Sequence, residues 1–166
     1  MEIAVPVGVI AGVVPSTNPT STVFYKSLIA LKAGNAIVFT PHPAAKNCTV
    51  KAVELVKEAV KGCGVNPDIV SVITTPTMEG SAELMKIADL ILATGGPGMV
   101  KAAYCSGTPA LGVGPGNVPA YIERSADIED AVTKIFASKT FDNGTICASE
   151  QSIVVDACIA DQVKKS

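Results

Sequence analysis

Tryptophan is absent from the 166 residues, and there are only four phenylalanines, three tyrosines and one histidine, His42. So few aromatics leave no platform for stacked bases, and a single histidine cannot organise a metal site. Charge of one sign is also missing: 13 Lys and Arg stand against 15 Asp and Glu, with no basic run. Nucleic acid is therefore not expected as a partner. The five cysteines, Cys48, Cys63, Cys105, Cys147 and Cys158, are odd in number, irregularly spaced and form no C-x-x-C pair. That spacing argues against a zinc site or a disulfide framework and for a reduced, cytoplasmic chain. Long apolar runs are lacking too, since segments such as VPVGVIAGVVP are broken by Gly or Pro. A membrane span needs about 20 apolar residues, so none is expected. No basic stretch followed by an apolar core opens the chain, so no leader is expected either.

What is present is a sequence that is 48% hydrophobic, too apolar for a disordered chain and long enough for a sizeable core. Short apolar runs alternate with helical patterns. The readings are strands at 7–14, 36–40, 69–73, 90–93, 109–113, 119–123 and 151–156. Helices are expected at 20–33, 44–62, 79–87, 98–106 and 126–138. In the first helix Val23, Leu28, Ile29 and Leu31 mark the helical spacing; in the second, Val50, Val53, Val56 and Val60 lie near one face. Continuous apolar strands separated by helices imply an α/β fold: a Rossmann-like, mainly parallel sheet with helices on both faces. Such sheets gather ligands at the carboxyl ends of their strands. The turns PSTNP, TPHP and TGGPG should therefore share one edge. A chain that opens and closes almost directly on strands reads as part of a larger protein.

Each polar candidate has a plain structural reading beside a functional one. Thr94-Gly95-Gly96-Pro97 lies between a strand and a helix, where glycines let a phosphate approach the backbone, or simply make a tight turn. His42, between Pro41 and Pro43, is either an exposed loop histidine or a nucleotide contact. Asn18 is placed to cap a helix or to offer an amide to an oxyanion. A free cysteine is usually a small buried hydrophobe, which suits Cys48, Cys63, Cys105 and Cys158. Cys147 differs because FDNGTICASEQS is a turn-rich stretch that substrate can reach. A Cys–His hydrolase would have to use His42, the only histidine available.

Five segments in collinear order carry a resemblance: PVGVIAGVVPSTNPTST (6–22), LKAGNAIVFTPHPAAK (31–46), LILATGGPGMVKAAY (90–104), GVGPGNVPAYIE (112–123) and SKTFDNGTICASEQSIVV (138–155). Together they resemble the aldehyde dehydrogenase superfamily in its CoA-acylating branch, above all the aldehyde dehydrogenase half of bifunctional aldehyde-alcohol dehydrogenases. The resemblance implies that Cys147 is the nucleophile toward an aldehyde and that Asn18, with the Cys147 backbone N–H, forms the oxyanion hole. It implies that Thr94, Gly95, Gly96 and Pro97 lie near a dinucleotide's pyrophosphate, and that Thr40, Pro41, His42 and Pro43 lie near its adenosine half. Residues 1–123 would be the dinucleotide-binding domain, with Gly112 on the cofactor side, and 124–166 the beginning of a catalytic domain.

Two departures from the hydrolytic members shape the expectation. Their glutamate in E-L-G-G-K is replaced by Gly112, so the base that activates water is missing and a thioester would await the thiol of CoA. Their lysine is replaced by Thr40, which leaves NAD and NADP both open, with NAD favoured by family habit. The expected partners are a small aldehyde, of acetaldehyde, succinate-semialdehyde or sulfoacetaldehyde type, and CoA, with no resident metal and a homo-oligomeric full-length protein. A non-catalytic nucleotide-binding fragment is the alternative.

Overall fold

The computed structural model describes residues 3–166. These divide into two compact units, with the break between Gly114 and Pro115.

The first unit is a five-stranded sheet ordered β3-β2-β1-β4-β5. Its strands are β1 (Val9–Val14), β2 (Ala36–Pro41), β3 (Val70–Val72), β4 (Leu90–Thr94) and β5 (Ala110–Val113). Every pairing is parallel, as continuous apolar strands require when both faces are covered. The crossovers are α1 (Pro19–Lys32), α2 (Lys46–Gly62), α3 (Met78–Ile87) and α4 (Pro97–Tyr104). Strand order reverses between β1 and β4, the point at which such sheets open a ligand crevice. The α/β reading from the sequence is correct.

Pleating sorts β1 onto two cores. Ile10 and Val14 join Ile37, Phe39, Val23, Ala30, Ala52 and Val53 on the face covered by α1 and α2. Ala11 and Val13 join Ile91, Ala93, Leu84, Met85 and Ala103 on the face covered by α3 and α4. Gly12 belongs to the first face, where a β-carbon would lie 2.7 Å from the Phe39 ring. Its absence admits a completely buried phenylalanine, a side chain whose burial contributes roughly 1.5–3 kcal/mol.

The facing of α1 departs from expectation. Val23 is buried, but Leu28 and Ile29 are 69% and 49% exposed, while Thr22, Lys26, Ser27 and Ala30 point into the sheet. Small residues at 22, 27 and 30 let the helix lie close to the strands, and a lysine fills the remaining depth. The strand expected from 7 begins at Val9, because Val7 and Gly8 donate their amides to Asn35 Oδ1 (2.6 and 3.0 Å) instead of to a neighbouring strand.

The second unit contains β6 (Val118–Ile122), α5 (Ile128–Thr140), β7 (Glu150–Val155) and the short α6 (Ala160–Val163). β6 and β7 form their own two-stranded parallel sheet. The compact break thus falls nine residues before the expected boundary after residue 123, because the partner of β6 lies beyond α5 rather than in the first sheet. Helix α5 starts on Asp127, whose carboxylate caps the Asp130 amide at 3.1 Å, the favoured N-cap arrangement. No helix among the described residues is long and apolar enough to cross a membrane.

Candidate active site

Parallel strands bring the ends of β1, β2 and β4 to one edge, so the turns carrying Asn18, His42 and Thr94–Pro97 share it. Asn18 sits at the N-cap position of α1, yet its side chain caps nothing. Its backbone carbonyl anchors the helix, accepting from Thr22 N (3.2 Å) and Thr22 Oγ1 (2.7 Å). The amide oxygen accepts only a 3.3 Å bond from Thr17 Oγ1. The exposed amide nitrogen is committed to no partner among the described residues.

At the end of β2, Thr40 and Pro41 are buried. Thr40 Oγ1 lies 2.7 Å from Ser81 Oγ. Since Ser81 donates to the Thr77 carbonyl at 2.8 Å, Thr40 is the donor to Ser81. His42 and Pro43 are exposed. The His42 amide donates to the Val14 carbonyl at 3.0 Å, tying this turn to β1. Its Nδ1 accepts the Ala44 amide at 3.2 Å, which leaves the proton of a neutral ring on Nε2.

At the end of β4, the Gly95 amide is held by the Val113 carbonyl at 3.1 Å. Gly96 is the N-cap of α4 and Pro97 its first residue. A β-carbon at Gly96 or Gly98 would meet nothing within 4 Å, and neither residue has positive φ. The chain itself therefore has no steric need for glycine at either position. Thr94 Oγ1 is buried without a hydrogen-bond partner, a condition that costs about 1–3 kcal/mol unless something completes it.

Gly112, in β5, is closed in. A β-carbon there would lie 2.7 Å from Val100 Cγ1 and 2.8 Å from Tyr104 Cε2. The Tyr104 hydroxyl accepts from the Gly112 amide at 3.0 Å and donates to its carbonyl at 3.4 Å. A carboxylate at this position would have to displace both side chains.

In the second unit, Cys147 occupies a turn in which the Ser149 amide donates to the Ile146 carbonyl at 3.0 Å. The Cys147 carbonyl accepts from the Gly116 amide at 3.0 Å. Ahead of the turn, Asp142, Asn143 and Gly144 all have left-handed backbones (φ 49, 54 and 68). Thr145 bonds back to Asp142 through its amide (3.1 Å) and hydroxyl (2.8 Å). Behind it, Ser138 on α5 donates to Glu150 at 2.8 Å. The cysteine is thus displayed on a tied turn and is itself partly exposed. Cys48, Cys63, Cys105 and Cys158 are exposed rather than packed, so the packing expected of them is incorrect. Position on this turn, not exposure, distinguishes Cys147.

The sequence reading missed Lys26 and Tyr104. Lys26 is wholly buried, and its Nζ donates to the carbonyls of Val13 and Leu92, each at 2.7 Å. Burial lowers its pKa from 10.5 to about 7. A lysine on a helix with small residues at i−4, i+1 and i+4 (Thr22, Ser27, Ala30) was the available signal. No group of three or more metal-binding side chains occurs among the described residues.

The family model described as "Aldehyde dehydrogenase family" matches residues 1–166, and the chain belongs to that family. It is 56% identical over 167 residues to the bifunctional aldehyde-alcohol dehydrogenase of Escherichia coli K12, covering 99% of this chain and 19% of that protein. Among solved structures it resembles an acetylating aldehyde dehydrogenase from Geobacillus thermoglucosidasius. There the TM-score is 0.87 and the identity 59%, over 98% of this chain and 36% of that one. It also resembles a propionaldehyde dehydrogenase from Rhodopseudomonas palustris with bound propionyl-CoA (TM-score 0.85, 36% identity, 98% and 37% covered). The chain therefore spans about a fifth of the first curated relative and little more than a third of these structures.

Proposed function

We propose that the protein works as a CoA-acylating aldehyde dehydrogenase of acetaldehyde type: RCHO + NAD⁺ + CoA-SH gives RCO-S-CoA + NADH + H⁺. The observation that carries this reading is the closure of Gly112 by Val100 and Tyr104 in a family whose hydrolytic members place a base there. With that space filled, no side chain at 112 activates water, and the acyl group remains on sulfur until a thiol arrives.

In this reading the Cys147 thiolate attacks the aldehyde carbon, forming the C–S bond of a thiohemiacetal. The Asn18 amide, free of capping duty, donates to the oxyanion that attack creates. Bound NAD⁺ supplies a hydride acceptor, so that loss of hydride leaves an acyl thioester on Cys147. The thiolate of CoA then attacks the acyl carbon, and the Cys147 sulfur departs. The Rhodopseudomonas relative, solved with propionyl-CoA, lends support to a CoA thioester as product.

The turn at Thr94–Pro97 fits a dinucleotide's pyrophosphate. Glycines at 96 and 98 that the fold does not need suit a ligand lying against the backbone, at the amino end of α4. The orphaned Thr94 hydroxyl is a ready polar contact. Thr40 and Pro41 form a closed floor, and His42 and Pro43 are the parts of that turn open to an adenosine. Cytoplasmic location and homo-oligomerisation of the full-length protein belong to the same reading. A narrower reading follows from the 19% coverage: residues 9–113 contain the whole five-stranded sheet and bind a dinucleotide without turning over.

The test is NADH formation by the complete gene product with aldehyde and NAD⁺, with and without CoA. Acyl-CoA should form only when CoA is present, and Cys147→Ala should abolish turnover. Multiple turnovers to free acid without CoA would overturn the thioester reading. Calorimetric NAD⁺ binding without any turnover would favour the narrower one, and acyl release without nicotinamide a hydrolase.

A further inference from the structure

Lys26 has no place in that mechanism, yet it is the largest fully buried side chain among the described residues. Taking an ammonium out of water costs several kcal/mol, and no carboxylate pairs with it among the described residues. Its position explains why the cost is met by two backbone oxygens. From the inner face of α1 the side chain leans toward the helix N-terminus, as helical side chains do. It ends between β1 and β4, the two strands between which the strand order reverses. Val13 is the penultimate residue of β1, and Leu92 lies two residues before the end of β4.

A neutral amine carries two N–H donors, and Lys26 makes two hydrogen bonds, one to each strand. Its hydrogen-bonding capacity as a donor is complete in that form. One strand continues into the turn of Asn18, the other into the turn of Thr94–Pro97. We infer that Lys26 is a positioning residue, a strut beneath the crevice that fixes the Asn18 turn relative to the dinucleotide turn. The inference rests on the proposed dinucleotide site. Lys26 touches neither substrate nor cofactor; it holds the strand ends from which both turns leave.

Lys26→Met removes both donors and keeps the length and bulk of the side chain. In the complete gene product it should weaken NAD⁺ binding about tenfold, the scale of losing one or two hydrogen bonds' worth of order. It should lower kcat as well, while leaving unchanged the alkylation rate of Cys147, followed by mass spectrometry of its peptide. A merely structural lysine would change the melting temperature alone, and unchanged NAD⁺ affinity and kcat in folded Lys26→Met overturn the inference.

Should that variant not fold, Lys26→Gln decides. It keeps two N–H donors on a side chain one bond shorter, which cannot span both carbonyls. A several-fold loss of NAD⁺ affinity is expected, and wild-type affinity overturns the inference. NAD⁺ binding by the wild-type protein is measured alongside. Its failure would refute the proposed dinucleotide site itself, a result distinct from a variant that matches a binding-competent wild type.

Discussion

The Tyr104 hydroxyl stands 3.0 Å from the Gly112 amide, and its ring lies over the α-carbon where a side chain would begin. On the proposed reading, Val100 and Tyr104 fill the position from which the hydrolytic branch would project its base. The missing carboxylate is thus a packing feature as well as a substitution.

Gly112→Glu alone should therefore not create a hydrolase. Overpacking against Val100 and Tyr104 should cost roughly 1–3 kcal/mol, measured by urea unfolding. Adding Tyr104→Ala should recover part of that loss, with a coupling of at least about 0.5 kcal/mol in the double-mutant cycle. Additive losses would mean that the two residues do not contend for the same space.

Asn18→Ala separates a helix cap from an oxyanion donor. A capping asparagine lost to alanine typically costs about 1 kcal/mol, but this side chain makes no cap bond. Stability should stay within about 0.5 kcal/mol, the usual range for surface substitutions. Turnover should fall about 10²–10³-fold, as when an oxyanion-hole amide is removed. Lost stability with full activity would return Asn18 to a capping role.

The order of elements in the first sheet was legible because β1, β2, β4 and β5 are short apolar runs ended by Gly or Pro. The turns at 15–19, 41–43 and 94–98 could be placed on one edge for the same reason. The facing of α1 was not legible, because periodicity sorts Lys26 to solvent and Leu28 to the core, while the fold does the reverse. The break at Gly114 escaped for another reason. β6 reads as one more strand in the series, and its true partner, β7, is separated from it by a helix. In the candidate site, Cys147 and Asn18 could be named from their motifs, but the Gly116–Cys147 tie joins segments far apart in sequence.

The Gly116–Cys147 tie makes a claim about the nucleophile's turn. Gly116→Ala places a β-carbon 3.4 Å from the Cys147 carbonyl oxygen, an ordinary contact, and should leave activity near wild type. Gly116→Pro deletes the amide that holds that carbonyl. It should lower kcat and the alkylation rate of Cys147 together by about tenfold, the worth of roughly one hydrogen bond. Alkylation unaffected by the proline would show that the turn is held by its own Ile146–Ser149 bond alone.

Lys26 also sets a pH dependence of stability with a definite sign. Its pKa is about 7 in the fold against 10.5 for an unburied lysine. Between those values the unfolded chain binds a proton that the folded chain does not, so stability rises with pH. The slope approaches roughly 1.4 kcal/mol per pH unit. Below pH 7 both states are protonated, and the cost of the buried charge is complete and constant. Lys26→Met has no such linkage, and its other ionisable groups are those of the wild type. The stability difference between the two proteins, from urea unfolding at pH 7, 8 and 9, should therefore shift steadily in favour of the wild type as pH rises. A difference that stays flat across that range would mean that Lys26 keeps its proton in the fold, with a third donor satisfied by something beyond Val13 and Leu92.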